Sequence, residues 1–140
     1  MKILLIEDDA ETRQGLQLLL EDFQLEVKAV ATLAEGLAAF RLFEPDVCLT
    51  DLQLPDGDGI EFIRTARASD PGREVVVLTG HGSLDTAVEA MKAGAFDYLV
   101  KPLRAAQLEA VLERLRPARD PGGSDAALWK TLDETGRFGE

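Results

Sequence analysis

Short apolar runs alternate with amphipathic segments along most of the sequence, and this alternation repeats five times. The apolar runs lie at residues 3–6, 27–30, 47–50, 75–78 and 98–100. Strands that are apolar along most of their length are typical of a parallel sheet that is covered on both faces. Parallel neighbours need crossover connections, which are almost always right-handed. The alternation therefore predicts a doubly wound α/β domain of five β–α units.

The segments between the apolar runs carry apolar residues at helical spacing. Helices are predicted at residues 10–22, from residue 32, at 59–68, at 83–93 and around 108–115. Thr32 and Glu35 have the spacing of a capping box, and Gly94 is expected to end the fourth helix. An apolar stripe is expected on one face of that helix, formed by Ala87, Val88 and Met91.

The bulk composition narrows the classes of function. With 140 residues, 46% of them hydrophobic, the chain is long enough for one domain with its own core. With a net charge of −11, the chain lacks the excess of basic residues that is typical of a nucleic-acid-binding domain. The N-terminal apolar run is too short for a signal peptide or a membrane span. The single cysteine, Cys48, is expected to be a packed thiol in a reduced, cytoplasmic protein.

Polar residues follow four of the predicted strands at the point where each strand ends. They are the acids at residues 7–9, Asp51, Thr79 and Lys101. The carboxyl ends of parallel strands meet at one edge of the sheet, where α/β domains bind their ligands. Neighbouring carboxylates repel each other, and a hard divalent cation such as Mg²⁺ removes that conflict. An aspartate neutralised by a metal and lying near a lysine is suited to accept a phosphoryl group as an acyl phosphate.

Four motifs together resemble the receiver domain of two-component response regulators. They are IEDD at residues 6–9, TDLQLPDGDG at 50–59, LTG at 78–80 and YLVKP at 98–102. The resemblance extends over about residues 1–116, with the motifs in order. It implies a flavodoxin-like (βα)5 fold with the strand order 2-1-3-4-5. It also implies a phospho-acceptor signalling domain that is not an enzyme in the usual sense, since it catalyses only its own phosphorylation and slow dephosphorylation.

The resemblance gives Asp51 the role of phosphoryl acceptor and implies Mg²⁺ as the cofactor. The metal ligands would be Glu7, Asp8, Asp51 and Gln53, with Glu7 acting through water and Gln53 through its backbone carbonyl. Two residues depart mildly from the family pattern. Glu7 stands where aspartate is commoner, and Leu54 replaces the usual methionine.

Three further residues take roles from the same resemblance. Thr79 and Lys101 would engage the phosphoryl oxygens, and Thr79 would move toward them. Tyr98 would turn inward when Thr79 moves, so that these two residues form the switch. The peptide bond before Pro102 is expected to be cis, as in the family.

Two other functions are weighed on the same residues. A Mg²⁺-dependent phosphohydrolase would use Asp51 as a transient nucleophile, but it needs a general acid two residues further on, and Gln53 cannot donate a proton in that way. A stand-alone interaction module, or pseudo-receiver, would bind partners without phosphorylation. The complete set of carboxylates, hydroxyl and lysine argues against that interpretation.

Four loop residues are interpreted separately from the core of the site. Asp56 and Asp58 are expected to solvate the loop that follows the acceptor and to have no part in phosphorylation. His81 and Gln53 are hypothesised to set the rate of autodephosphorylation by placing or excluding the attacking water. An exposed loop histidine without that role fits the position of His81 equally well.

Residues 1–116 are predicted to form the receiver domain and residues 117–140 a linker, because Pro117 and the PGG at 121–123 break the last helix. The stretch at 78–102 is most similar to receivers of σ54-dependent transcriptional activators, of the NtrC and DctD type, and also resembles receivers joined to a Fis-like DNA-binding domain. The expected partners are a sensor histidine kinase, an output domain absent from these residues, and a second copy after phosphorylation. Neither nucleic acid nor a membrane is expected to bind this domain directly.

Overall fold

The computed structural model describes residues 1–80 and 83–119, with side chains as far as residue 115. The chain divides into two units, Met1–Ala105 and Ala106–Glu140. The first unit contains all of the described strands and the candidate site. His81 and residues 120–140 lie outside the described residues, so the hypotheses about His81 and the linker stay predictions.

Five longer strands and two short ones form in the described residues. In chain order they are β1 (Lys2–Ile6), β2 (Glu26–Val30), β3 (Val47–Thr50), β4 (Gln53–Leu54), β5 (Gly57–Asp58), β6 (Glu74–Thr79) and β7 (Asp97–Val100). The longer strands pair in parallel in the order β2-β1-β3-β6-β7, and β4 pairs with β5 as a short antiparallel hairpin. When only the strands of the main sheet are counted, this order is 2-1-3-4-5. The predicted doubly wound parallel sheet is therefore confirmed.

Five helices alternate with these strands. They are α1 (Ala10–Asp22), α2 (Leu33–Phe43), α3 (Gly59–Ser69), α4 (Leu84–Ala93) and α5 (Ala105–Arg119). The first four lie close to their predicted bounds, whereas α5 continues past the stop predicted at Pro117. A proline removes one backbone donor, which weakens the last turn of a helix without forbidding it. None of the described helices is both long enough and apolar enough to cross a membrane.

Side chains on successive strand residues point to opposite faces of the sheet, and both faces are buried. The cluster on one face combines strand residues with residues of α2, α3 and α4, among them Leu4, Ile6, Cys48, Val77, Phe40, Phe62, Ile63 and Ala90. The alternate strand residues are also buried, including Ile3, Leu5, Val47, Leu49, Val76 and Leu78. Leu16 and Leu20 are the buried residues of α1 and lie outside the cluster, in keeping with α1 on the opposite face. The strands therefore have the apolar sequence that a sheet covered on both faces requires.

Cys48 lies in the middle of β3 and is completely buried. Burial raises the pKa of its thiol well above the ordinary value. Since the thiolate is the reactive form of cysteine, this side chain is an inert part of the core, as the sequence predicts.

The first four helices begin at side-chain caps, which satisfy backbone N–H groups that have no partner within the helix. In each case the capping side chain accepts a hydrogen bond from the backbone N–H three residues further on. The caps are Asp9, Thr32, Asp58 and Ser83. Gly94 ends α4 with a φ of 114°, a left-handed conformation that favours glycine. The start predicted at Thr32 and the stop predicted at Gly94 are thus confirmed.

The apolar stripe predicted for α4 is not the buried face of that helix. Val88 and Met91 are 43% and 46% exposed, and Leu84 at the start of the helix is 80% exposed. Ala90 is instead the residue of α4 that is buried in the core. Helical spacing predicts which residues share a face, but it does not decide whether the core or another surface covers that face.

Candidate functional site

Four of the predicted site residues lie where strands of the main sheet end. The ladder of backbone hydrogen bonds continues one residue beyond three of these strands: the N–H of Glu7 donates to Val30 O at 3.0 Å, that of Asp51 to Ile6 O at 3.1 Å and that of Lys101 to Thr79 O at 2.7 Å. These bonds fix the backbone of each residue that follows a strand. The sheet therefore brings Glu7, Asp51, Thr79 and Lys101 to the same edge.

The ammonium group of Lys101 links two of the carboxylates. Its Nζ donates to Asp51 Oδ2 at 3.0 Å and also to Glu7 Oε1. The side chains of Glu7, Asp51 and Lys101 are only 2%, 12% and 18% exposed. Burial by itself lowers the pKa of Lys101, but the hydrogen bonds and charges of Glu7 and Asp51 outweigh it and hold the pKa above its ordinary value. Lys101 is therefore a cation at neutral pH.

Three carboxylates gather beside this lysine. One oxygen from each of Glu7, Asp8 and Asp51 lies within 4.8 Å of the others, so together they could hold a metal ion. A set of hard oxygen donors such as this fits Mg²⁺. Glu7 Oε1 already accepts from Lys101, and Oε2 accepts from the Asp9 N–H at 3.0 Å. Both carboxylate oxygens of Glu7 therefore have protein partners, whereas Asp8 is exposed.

Arg13 holds the backbone of the acidic pair, and sequence reasoning missed it. Its Nη1 donates to Glu7 O at 2.8 Å and to Asp8 O at 3.4 Å. Asp9 caps α1 by accepting from Thr12, and these hydrogen bonds lower the pKa of Asp9. The third acid of the run therefore starts a helix, while the first two face the site. The sequence did contain a signal that could have identified Arg13, namely a basic residue in the first helical turn after the acids.

The loop after β3 contacts the acceptor directly. The backbone N–H of Gln53 donates to Asp51 Oδ1 at 3.2 Å, and the Gln53 side chain is exposed. Asp51 is thus held through both oxygens, by Gln53 on one and Lys101 on the other.

The two later acids of this loop are exposed but also cap helices, so the expectation that they only solvate the loop is wrong. The expectation that neither takes part in phosphorylation stays a prediction. Asp58 caps α3 by accepting from the Glu61 N–H at 2.9 Å. Asp56 accepts from the first two N–H groups of α2. The sequence could predict the Asp58 cap, because the cap directly precedes its own helix. It offered no signal for Asp56, because the helix that Asp56 contacts lies more than twenty residues earlier.

Thr79 and Tyr98 lie on the neighbouring strands β6 and β7. Thr79 is 3% exposed at the end of β6, one of three buried polar or charged residues in the described part of the chain. Tyr98 is partly buried against the core cluster, and its hydroxyl hydrogen-bonds to Thr86 Oγ1 at 2.9 Å. Thr86 also completes the capping box of α4 with Ser83. The tyrosine is therefore linked to the first turn of α4.

A groove of about 510 Å³ adjoins Lys101. It is lined by Thr12, Gly15, Leu16 and Leu19 of α1 and by Lys101, Pro102 and Leu103. The Lys101–Pro102 peptide bond is cis, as the resemblance implies. The groove gives the site a partly apolar border next to the lysine.

Comparison with known proteins agrees with this architecture. The family model described as the response regulator receiver domain matches residues 3–113. PilR, a response regulator protein of Pseudomonas aeruginosa, is 33% identical over 127 residues, which cover 91% of this chain and 28% of PilR. The acid tolerance regulatory protein ActR of Rhizobium meliloti is 34% identical over 135 residues, which cover 93% of this chain and 70% of ActR.

A solved structure has the same fold. The beryllofluoride-activated NtrC4 receiver domain dimer has a TM-score of 0.77 and 32% identity, and the match covers 81% of this chain and 94% of that chain. The present chain spans only part of the length of its curated relatives, 28% of PilR and 70% of ActR. The chain belongs to the response regulator receiver domain family, and it is a signalling domain of a two-component system rather than a conventional enzyme.

Proposed function

We propose that Asp51 is the residue that accepts the phosphoryl group, from a phosphohistidine of a sensor histidine kinase. The observation that carries this proposal is the position of its carboxylate. Asp51 is 12% exposed at the end of β3, its Oδ2 accepts from Lys101 at 3.0 Å, and Glu7 and Asp8 lie beside it. A carboxylate that a fixed cation orients at the open edge of the sheet is placed to act as a nucleophile.

The transfer forms one bond and breaks another. An oxygen of Asp51 attacks the phosphorus in line with the P–N bond of the phosphohistidine, and the new O–P bond makes an acyl phosphate. The imidazole leaves with the electron pair of the broken P–N bond and takes up a proton. Lys101 offsets negative charge on the phosphoryl oxygens. Hydrolysis of the acyl phosphate by water later restores the carboxylate and releases inorganic phosphate.

Asp8, Asp51 and the backbone carbonyl of Gln53 would hold Mg²⁺, with Glu7 contributing through water. The oxygen donors in this part of the chain and the two protein partners that Glu7 already has support this assignment. When bound, Mg²⁺ would neutralise charge on the carboxylates and on the transferring phosphoryl group. A hydrogen bond of 3.2 Å from the Gln53 N–H to Asp51 Oδ1 already links these two residues.

Thr79 and Tyr98 would couple phosphorylation to the surface of the domain. The Thr79 hydroxyl would donate to a phosphoryl oxygen, and Tyr98 would move into the space that Thr79 leaves. A phosphoryl group can shift the balance between two conformations only through contacts that differ between them. The hydrogen bond between Tyr98 and Thr86 supports this coupling, because it links the tyrosine to α4.

The output of the switch would be association with a second copy, and through it the control of transcription in the cytoplasm. Exposed Leu84, Val88 and Met91 on α4, together with Val100 on β7, supply an apolar surface for that contact. The NtrC4 receiver was solved as a dimer in its activated form. The output domain would belong to a longer chain, as the partial coverage of PilR and ActR favours.

The test is phosphorylation by acetyl phosphate with and without Mg²⁺, followed by measurement of the molecular mass in solution. Wild-type protein should be phosphorylated only with Mg²⁺ and should then shift toward a dimer. Asp58→Asn, which changes another acid of the same loop, should behave like wild type. The proposal is wrong if phosphorylation does not require Mg²⁺, or if Asp51→Asn is phosphorylated to the same extent as wild type.

A further inference from the structure

Asp56 caps the N-terminus of α2, a helix that begins more than twenty residues earlier in the chain. Its Oδ1 accepts from the Leu33 N–H at 2.7 Å, and its Oδ2 accepts from the Ala34 N–H at 2.9 Å. These hydrogen bonds hold the pKa of Asp56 below its ordinary value. The next two N–H groups of α2 donate to the side chain and the carbonyl of Thr32. A carboxylate is also favoured here by the partial positive charge of the helix N-terminus.

The hairpin of β4 and β5 packs closely on the same turn of α2. A Cβ atom on Gly57 would lie 2.5 Å from Leu33 Cδ2, so this contact leaves no room for a larger residue unless Leu33 moves. Asp56 and Gly57 together therefore attach the hairpin to the start of α2, one by hydrogen bonds and the other by packing.

Gly59, the residue that follows the hairpin, lies against the backbone of Asp51 and Leu52. The Gly59 N–H donates to Leu52 O at 2.8 Å, and a Cβ on Gly59 would lie 2.4 Å from Asp51 O. Leu52 and Leu54 are buried. A shift of the hairpin relative to α2 would therefore move the backbone that carries Gln53.

Gln53 is where the hairpin meets the acceptor. Its N–H donates to Asp51 Oδ1 at 3.2 Å, and it pairs with Asp58 in the hairpin. Three links thus connect α2 to the acceptor: the bonds of Asp56, the short hairpin, and the bond from Gln53 to Asp51.

We infer that Asp56 is a positioning residue for the metal site. By fixing the hairpin to α2, it fixes the backbone carbonyl of Gln53 and the orientation of the Asp51 carboxylate toward Mg²⁺. This inference rests on the proposed Mg²⁺ site at Asp8, Asp51 and Gln53. Asp56 itself contacts neither the ion nor the phosphoryl group.

The chain offers a matched control on the same hairpin. Asp58 is also an exposed aspartate that caps a helix, with one bond to the Glu61 N–H at 2.9 Å. Asp58→Ala removes a helix cap, as Asp56→Ala does, but it leaves the attachment of the hairpin to α2 intact. Asp56→Asn is the conservative variant, because its amide keeps one of the two acceptors.

The experiment titrates MgCl2 into the unphosphorylated chain and measures the dissociation constant by calorimetry. Asp56→Ala should raise this constant by about tenfold, the order of effect seen when a residue that orients a metal ligand is lost. Asp56→Asn should fall between Asp56→Ala and wild type, and Asp58→Ala should match wild type. The amide resonance of Gln53 in a ¹⁵N spectrum should shift in Asp56→Ala and should shift by a smaller amount in Asp56→Asn.

A second readout separates positioning from damage to the reaction itself. With acetyl phosphate as donor, Asp56→Ala should need more Mg²⁺ for half of its maximal rate, while its rate at saturating Mg²⁺ should equal that of wild type. If Asp56→Ala does not fold at the assay temperature, Asp56→Asn decides the question in the same way.

Three results would overturn the inference. Unchanged Mg²⁺ affinity in a folded Asp56→Ala or Asp56→Asn protein would show that the attachment to α2 does not matter for the metal. An equal loss in Asp58→Ala would show that any weakened helix cap has this effect. If wild-type protein binds no Mg²⁺, both the proposed function and this inference fail, whereas the first two results leave the proposed function intact.

Discussion

The ammonium nitrogen of Lys101 lies 3.0 Å from Asp51 Oδ2, although the two residues are 50 positions apart in the chain. The same ammonium group also contacts Glu7. One cation therefore offsets the charges of two carboxylates that are almost buried, and it connects the residues that follow β1, β3 and β7.

Replacing Lys101 by methionine should leave Glu7 and Asp51 without their cation. Removal of one partner from a buried ion pair is expected to lower the free energy of unfolding by about 3 kcal/mol. The loss should appear in urea denaturation with EDTA and should shrink with saturating Mg²⁺, because carboxylates without the lysine charge should bind the cation more tightly and gain more stability from it than those of wild type. Lys92→Met on the exposed surface of α4 is the control and should change little. A Lys101→Met protein as stable as wild type in EDTA would contradict this account.

The contact between Tyr98 and Thr86 should be measurable as a coupling energy. Tyr98→Phe and Thr86→Val each remove one hydroxyl of a hydrogen bond of 2.9 Å. A double-mutant cycle on thermal or urea unfolding should give a coupling of about 1 kcal/mol, the usual net worth of such a bond. Thr86→Ser keeps the hydroxyl and should preserve most of the coupling. Strictly additive effects would mean that the two hydroxyl groups do not interact in solution.

Asp56 should make the stability of the domain depend on acid pH. Its hydrogen bonds from Ala34 and Leu33 lower the pKa from the ordinary value of 3.8. The unfolded chain therefore binds this proton more readily than the folded one, and the stabilisation is complete above pH 3.8 and is lost as the pH falls through the lowered pKa. On acidification, wild type should lose more stability than Asp56→Asn, as measured by urea unfolding across this range. If the free energies of unfolding of the two proteins fall equally with pH, the pKa of Asp56 is not lowered in the folded state.

The exposed apolar stripe of α4 should be needed for association of phosphorylated protein. Val88→Glu places a charge on this surface, where Leu84 and Met91 are also exposed. Sedimentation after treatment with acetyl phosphate and Mg²⁺ should show a dimer for wild type and a monomer for Val88→Glu, with equal phosphorylation in both. Leu42→Glu is the control, because Leu42 is 85% exposed on α2. If phosphorylated Val88→Glu still forms dimers, the contact between the two copies lies on another surface.

Much of the fold followed from local patterns in the sequence. Apolar runs rich in valine and leucine, such as residues 75–78, are typical of buried strands, and the topology of a parallel sheet is limited by right-handed crossovers. Once the sheet is given, residues that directly follow its strands, such as Glu7, Asp51 and Lys101, must share one edge. That is why the neighbourhood of the site could be predicted while its individual hydrogen bonds could not.

The features that the sequence did not predict depend on contacts between distant segments. The bonds of Asp56 to Leu33 and Ala34 join different β–α units, and an aspartate in a glycine-rich loop is equally typical of a solvated turn. The stripe with Val88 and Met91 has the spacing of a core face, yet it is exposed. Spacing along one helix contains no information about which other element covers it.

Locating the phosphorylated residue shows whether Asp51, and no other aspartate, carries the phosphoryl group. Wild-type protein treated with acetyl phosphate and Mg²⁺ would be reduced with borohydride, which converts an aspartyl phosphate to homoserine, and then mapped by peptide mass spectrometry. Homoserine is expected at position 51, with Asp8, Asp56 and Asp58 unmodified, and no homoserine is expected in protein kept without Mg²⁺. Modification at another aspartate, with Asp51 intact, would contradict it.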